Sequence, residues 1–159
     1  MYAKVCTRPD LGFTVSVLGH FQSNIGNSHW TAAKKVLRYL KRTRNVAVVY
    51  QLENLEMVAY SDSDLAGYVD DRKYTSGYVF LLVDGAVSWK SSKQKVIASS
   101  TMTVEFIGCY TATKQAIWLG NFIMGLKVVD SIEIPITIYC DNKAAIFFSK
   151  TTRGPSLAN

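Results

Sequence analysis

Three carboxylates stand at the ends of predicted secondary-structure elements. Asp62 closes a short alternating strand, Asp141 follows the apolar strand IPITIYC, and Glu105 is the only acid of a long helical segment. Carboxylates that converge on one point repel each other unless a cation neutralises them, and hard oxygen ligands suit Mg²⁺ or Mn²⁺. Two such ions about 4 Å apart stabilise both the attacking and the leaving oxygen of a phosphodiester. The three acids therefore predict a site for phosphodiester hydrolysis, provided that they meet.

Each of these acids also has a purely structural explanation. Asp62 and its neighbour Asp64 can simply end a strand, because aspartate is common in turns. Asp141 can belong to a helix N-cap, and Glu105 can complement the dipole of its helix. The aspartates at 70 and 71 adjoin two basic residues and are interpreted as loop charges.

The order of the predicted elements brings the three acids together. Strands are predicted at 56–62, 76–83 and 86–90, the last with a second part at 95–98, and Asp84-Gly85 indicates a two-residue hairpin. A helix at 101–126, which Ser99 or Ser100 can cap, leads to a strand at 134–140 and a helix at 142–150. A right-handed crossover makes the fourth strand parallel to the first, and ligand sites form at the carboxyl ends of such strands.

The expected fold is therefore α/β: a three-strand antiparallel meander, a crossover helix and a parallel fourth strand, preceded by a helical segment. Apolar spacing predicts the face of the long helix that packs on the core. That face comprises Phe106, Tyr110, Thr113, Ile117 and Gly120.

The N-terminal third is basic. Residues 1–53 contain eight Lys or Arg and two acids, which accounts for the whole formal net charge of +6. A helix predicted at 29–43 has an apolar face with Trp30 and Leu37 and an opposite basic face. This face is either solvated or laid along a phosphate backbone, which would make it a nucleic-acid contact. Its residues are Lys34, Arg38, Lys41 and Arg42.

Composition excludes several classes of protein. With 48% hydrophobic and 19% charged residues, the 159-residue chain is globular rather than disordered. No apolar run approaches the roughly 20 residues that cross a bilayer, so no membrane partner is expected. The odd number of cysteines, without CxxC spacing, predicts reduced thiols rather than a disulfide framework or a zinc site. We therefore expect an intracellular protein, cytoplasmic or nuclear.

Several motifs, in their order along the chain, resemble a known family. YSDSDLAG, DDRKYTSGYVF, VSWKSSKQ, IASSTMTVEF and YCDNKAAI are similar to the RNase H domain of copia-type retrotransposon polyproteins. RPDLGFTVSVLGHFQSN and HWTAAKKVLRYLKRT, which precede them, resemble the segment that joins the reverse transcriptase to that domain. The resemblance implies an RNase H-like fold and cleavage of the RNA strand of RNA–DNA hybrids with two Mg²⁺ ions, or Mn²⁺. It matches Asp62, Glu105 and Asp141 to the catalytic acids, and Asp64 to a second aspartate of the first motif, which makes Asp64 a further candidate metal ligand.

The chain also departs from this family. Thr103 stands where the helix motif often has an acid, and a Lys-His-Ile-Asp segment, a fifth strand and a last helix are not found. We therefore expect a basic remnant of the reverse transcriptase connection at 1–53, a C-terminally truncated RNase H-like domain at 54–150 and a disordered tail at 151–159. Truncation would impair hydrolysis, so the alternative is an inert remnant or a domesticated module that binds nucleic acid or protein. The open edge of the fourth strand predicts self-association.

Overall fold

The computed structural model is centred on one mixed four-stranded sheet. It describes residues 2–50, 56–64, 74–96, 100–127 and 135–151, so the predicted loop charges at 70–73 and residues 152–159 of the predicted tail lie outside the described residues. The strands are β1 (Met57–Asp64), β2 (Thr75–Leu82), β3 (Gly85–Lys93) and β4 (Thr137–Tyr139), and the helices are α1 (Tyr2–Cys6), α2 (Gly12–His20), α3 (Asn27–Arg42), α4 (Thr101–Leu126) and α5 (Lys143–Thr151).

The sheet has the predicted topology. Its order is β3-β2-β1-β4, in which β1 pairs antiparallel with β2, β2 antiparallel with β3, and β1 parallel with β4. The long helix α4 makes the crossover between β3 and β4. The α/β class, the meander and the parallel fourth strand are therefore confirmed, and β4 lies at an edge of the sheet.

The tight turn between β2 and β3 lies one residue earlier than predicted. Val83 and Asp84 form it with φ of 49° and 62°, and Gly85 is already paired with Leu82. The glycine is required for another reason, because a Cβ at Gly85 would collide with the ring of Tyr50. The Asp84-Gly85 pair therefore predicted the correct connection between the strands, but the two turn residues are Val83 and Asp84.

The predicted core face of α4 is wrong by about one residue. Tyr110 and Ile117 are 60% and 62% exposed, whereas the buried face consists mostly of small residues. A Cβ at Gly108 would collide with the hydroxyl of Ser63, so α4 approaches β1 more closely than large side chains would allow. Small size, rather than hydrophobicity alone, selects this face. Its residues are Val104, Glu105, Gly108, Ala112, Ala116, Leu119 and Gly120.

The main core lies between α4 and the sheet. Phe80 of β2 and Ala59 of β1 are fully buried, and they pack with Met57, Ala116 and Leu119. This contact fixes the height of α4 above β1, and therefore the position of the first helical turns, which contain Glu105.

The N-terminal helices attach to β3. The indole N–H of Trp89 donates to the carbonyl of Lys4 at 2.6 Å, and the hydroxyl of Ser16 donates to the carbonyl of Ser91 at 2.9 Å. By contrast, α3 packs on α2 and has no buried residue. Its predicted apolar face is exposed, with Trp30 at 58% and Leu37 at 63%. No helix among the described residues is long and apolar enough to span a membrane.

Candidate metal centre

Parallel pairing of β1 and β4 aligns two of the predicted acids. Tyr60 and Tyr139 are direct partners in the register, and their rings stack with centroids 5.2 Å apart. Asp62 and Asp141 each follow their tyrosine by two residues. Both exposed aspartates therefore lie towards the carboxyl ends of the two strands, although Asp62 does not close its strand as predicted, because β1 continues to Asp64.

The N-terminus of α4 is fixed by two side chains that precede it. Ser100 caps the helix and accepts a hydrogen bond from the backbone N–H of Thr103 at 3.2 Å. The buried side chain of Gln94 donates to the carbonyl of Val104 at 2.9 Å and also to the hydroxyl of Ser76 on β2. Gln94 thereby ties the residue preceding Glu105 to the sheet. Sequence reasoning identified the cap but not this glutamine.

Glu105 is the most perturbed carboxylate of the cluster. Its side chain is only 7% exposed, and its Oε2 has no hydrogen-bond partner among the described residues. Burial, followed by the charges of Asp62 and Asp141, raises the pKa of Glu105 to about 7, against an opposing hydrogen bond from the backbone of Ser63. A buried carboxylate beside two others is electrostatically unfavourable unless a proton or a cation compensates it.

The residues present fit a hard divalent cation. Asp62, Glu105 and Asp141 offer oxygen ligands, although the ligand atoms that lie within 4.8 Å of one another belong to Glu105, Asp141 and Cys140 and not to Asp62. The Oε2 of Glu105 has no donor among the described residues. Asp64 is the last residue of β1 and is exposed, and its charge makes a smaller contribution to the pKa of Glu105. Asp64 is therefore a peripheral member of the cluster.

Cys140, which the sequence predicts only to be a reduced thiol, also belongs to this cluster. Ligand atoms of Glu105, Cys140 and Asp141 all lie within 4.8 Å of one another. The thiol of Cys109, one turn after Glu105 on α4, has its pKa raised to about 12 by burial and by its hydrogen bond with Cys140. Strand alternation would have placed Cys140 and Asp141 on opposite faces of the sheet. Their adjacency in the chain was therefore the only sequence signal that the thiol lies near the carboxylates.

The predicted basic residues of α3 lie away from the carboxylates. Lys34, Arg38, Lys41 and Arg42 are all exposed, and the last three border a cavity that also involves Tyr39 and Arg44. Those two residues border the neighbouring cavity as well, which extends to Ala86 at the hairpin end of the sheet. Asp62 is paired with Gly77 at the opposite end. The two predicted groups of site residues are therefore separate surfaces.

Comparison with known proteins identifies relatives over most of the chain. It is 39% identical over 152 residues to the retrovirus-related Pol polyprotein from transposon TNT 1-94 of Nicotiana tabacum, covering 96% of this chain and 11% of the relative. It is 34% identical over 142 residues to the corresponding polyprotein from transposon RE2 of Arabidopsis thaliana, covering 89% of this chain and 10% of the relative. The chain thus spans about a tenth of the length of these polyproteins.

A third relative is much shorter. The secreted RxLR effector protein 161 of Plasmopara viticola is 44% identical over 120 residues, covering 75% of this chain and 84% of the relative. Its name includes the word secreted, whereas an intracellular location stays our prediction for this chain.

No protein-family model matches the chain. No solved structure matches it either, so the RNase H-like assignment of the sheet is an interpretation of its topology. The three relatives nevertheless align with 75–96% of the chain. The chain therefore belongs to the family of proteins homologous to this segment of the retrovirus-related Pol polyproteins of plant copia-type retrotransposons.

Proposed function

We propose that this chain is a metal-dependent RNase H-like domain that hydrolyses the RNA strand of RNA–DNA hybrids. The observation that carries the proposal is the buried carboxylate of Glu105, with its unpartnered Oε2, beside Asp62 and Asp141. A carboxylate cluster of this kind reduces the stability of the fold unless a cation or a proton neutralises part of its negative charge. Ligand binding therefore explains the presence of these three acids better than packing does.

In this proposal Asp62, Glu105 and Asp141 hold one or two Mg²⁺ ions, with Mn²⁺ as the alternative. The bound ions would supply Lewis-acid stabilisation of the charge that develops on a phosphodiester during hydrolysis. The protein contributes position: β1 and β4 orient the two exposed aspartates, and Gln94 with the Ser100 cap holds the helix that contains Glu105. At neutral pH the raised pKa keeps part of Glu105 protonated until a cation binds.

A cavity of about 370 Å³ beside this cluster suits a nucleic-acid backbone. It is lined by hydroxyl and lysine side chains, including Ser76, Ser92, Lys90 and Lys95, and by the exposed ring of Tyr110. Lysines and hydroxyls contact phosphate, and aromatic rings stack on unpaired bases. Since Ser76 is one residue from Gly77, the partner of Asp62, a strand in this cavity would pass close to the carboxylates.

Cleavage of a labelled RNA–DNA hybrid in Mg²⁺ tests the proposal. We expect cleavage of the RNA strand only, and we expect Asp62→Asn to abolish it while the variant keeps its fold. Asp84→Asn, in the turn at the opposite end of the sheet, is the matched control and should cleave normally. No cleavage by the folded chain, or equal cleavage by the Asp62→Asn variant, would reject the hydrolase.

A second candidate function is binding of nucleic acid without hydrolysis. The observation that favours it is the exposed basic face of α3, whose four side chains have no ion-pair partner among the described residues. The face lies away from the carboxylates, so it can bind a backbone whether or not the cluster is active. Each phosphate that a lysine or arginine neutralises makes the affinity fall more steeply with salt.

Hybrid binding as a function of salt separates the two surfaces. Replacing Lys34, Arg38, Lys41 and Arg42 by alanine should weaken binding and lower the salt slope by up to about four. Arg38→Lys with Arg42→Lys, which keeps the charge, should change neither. If the four alanines leave the affinity unchanged but Lys90→Ala with Lys95→Ala weakens it, the cavity beside the carboxylates is the binding surface and α3 is solvated.

A further inference from the structure

We infer that Glu105, Cys140 and Asp141 form a binding site for a thiophilic divalent ion such as Zn²⁺. This site includes the thiol of Cys140, and a centre for a hard ion such as Mg²⁺ would not need a thiol ligand. It shares Glu105 and Asp141 with the proposed Mg²⁺ centre, but its occupation requires neither nucleic acid nor Mg²⁺. It would be occupied by a metal of different chemical class from the ions that suit the three acids alone.

The distances suit a single shared ion. The three ligand atoms lie within 4.8 Å of one another. Zinc bonds sulfur at about 2.3 Å and oxygen at about 2.0–2.2 Å, so two ligand atoms of a tetrahedral zinc are about 3.3–3.7 Å apart and the three side chains must approach one another by up to about 1 Å. Small side-chain rotations would therefore bring the thiolate and the two carboxylates into contact with the same ion. Three protein ligands leave the fourth tetrahedral position for water.

A second observation points to a ligand at this place. Glu105 is 93% buried, and its Oε2 has no hydrogen-bond partner among the described residues, although it lies in the cluster. A buried carboxylate oxygen without a protein donor is an atom that a bound cation can stabilise. Asp141, by contrast, is exposed, so that an ion can enter from solvent on that side.

The surroundings hold the thiol in position. Cys140 follows the last residue of β4, and its side chain is hydrogen-bonded to the thiol of Cys109 on α4. Asn142 caps α5 through a hydrogen bond from the backbone N–H of Ala145 to its side-chain oxygen at 2.9 Å. These contacts fix the chain on both sides of Asp141, in the way that outer-shell partners orient metal ligands.

Coordination is a simple exchange of a proton for the metal. The S–H bond of Cys140 breaks, its proton passes to solvent, and the thiolate donates an electron pair to the ion. No oxidant or reductant is required. Thiolates select Zn²⁺ and similar soft ions, whereas Mg²⁺ prefers oxygen, so the thiol decides which metal binds here.

Titration with Cd²⁺ tests the site in the metal-free chain without nucleic acid. Cd²⁺ bound to a thiolate gives an ultraviolet charge-transfer absorption, and the exposed Cys6 is replaced by serine to remove an accessible thiol. We expect an absorption that saturates at one ion per chain. Cys140→Ser and Cys140→Ala should abolish it, and Cys109→Ser, which keeps a hydrogen-bonding group, should retain it.

The carboxylates provide the second part of the test. Asp141→Asn and Glu105→Gln should each raise the Kd for Cd²⁺ at least about tenfold, because even outer-shell partners contribute about 10–100-fold. Equal affinity in both variants would mean that a lone thiol binds the ion. Charge-transfer absorption that persists in folded Cys140→Ser, or that disappears in Cys109→Ser alone, would also overturn the inference. Hybrid cleavage is not measured, so the outcome is independent of the proposed hydrolase.

Discussion

Replacing Glu105 by glutamine should stabilise the metal-free protein at alkaline pH. The pKa of Glu105 rises from an ordinary 4.5 to about 7 in the fold, so the folded state binds this proton more tightly than the unfolded state does. Stability is therefore highest below about pH 4.5 for this group and is lost progressively as the pH rises towards about 7. The rise in pKa corresponds to about 3 kcal/mol of unfolding free energy.

Glutamine has the shape of the protonated side chain and does not ionise. Urea unfolding followed by circular dichroism should therefore show Glu105→Gln to be more stable than wild type by about 2–3 kcal/mol near pH 8, and equally stable near pH 4. Glu56→Gln, which removes an exposed carboxylate just before β1, should change stability by less than about 0.5 kcal/mol at either pH. Addition of Mg²⁺ should stabilise the wild type and reduce the difference, since a bound cation compensates the carboxylate.

Two results would refute this reasoning. If Glu105→Gln is no more stable than wild type near pH 8 without metal, the ionised carboxylate is not penalised in the fold. If its advantage is the same near pH 4 as near pH 8, the gain comes from packing or hydrogen bonding of the amide rather than from removal of charge.

Three further predictions concern neighbouring parts of the fold. Gly108→Ala should destabilise the protein by about 1–3 kcal/mol, because its Cβ would collide with Ser63; Gly125→Ala, on the same helix with open space around it, should be neutral or stabilising by up to about 1 kcal/mol in the same unfolding experiment. Stabilisation by Mg²⁺, measured as a shift in Tm, should decrease as the pH falls below about 7, because protonation of Glu105 competes with the metal; a shift that does not depend on pH would exclude Glu105 as a ligand. Sedimentation should show concentration-dependent self-association through the open edge of β4, and Thr137→Lys, which adds a charge to that edge, should reduce it; a monomer at all concentrations would contradict this.

The helix cap and the strand pairing were predictable because their signals are local, whereas the strand ends were not: β1 continues two residues past Asp62, β3 ends at Lys93 without a second part at 95–96, and β4 is limited to Thr137–Tyr139. The Ser100 cap, the α4 boundaries 101–126 and the parallel pairing of β1 with β4 all follow from residue types and from the handedness of crossovers. Once those elements are right, the positions of Asp62 and Asp141 follow as well. The approach of these two acids to one end of the sheet was therefore accessible from the sequence, and their role in a metal site stays a prediction.

Features that depend on close packing between elements were not predictable. Hydrophobic periodicity selected the face of α4 with Tyr110 and Ile117, but the space above β1 admits only small residues such as Gly108. The proximity of Cys140 to Glu105 depends on how the chain leaves β4, which strand alternation does not describe. Gln94 likewise gains its role only from the three-dimensional approach of α4 to β2.

The shortness of β4 links the proposed metal site to local opening of the sheet edge. Three residue pairs join β4 to β1, against eight pairs between β1 and β2, so the β4 edge can separate while the antiparallel meander stays folded. When β4 separates from β1, Asp141 moves away from Asp62 and the carboxylates no longer lie together. The apparent dissociation constant of any ion bound there is the intrinsic constant divided by the fraction of molecules in which β4 is docked. Amide exchange of Ile138 and Tyr139 should accordingly slow as the ion concentration rises, and substitutions that loosen the tyrosine stack should weaken metal binding without contact with a ligand.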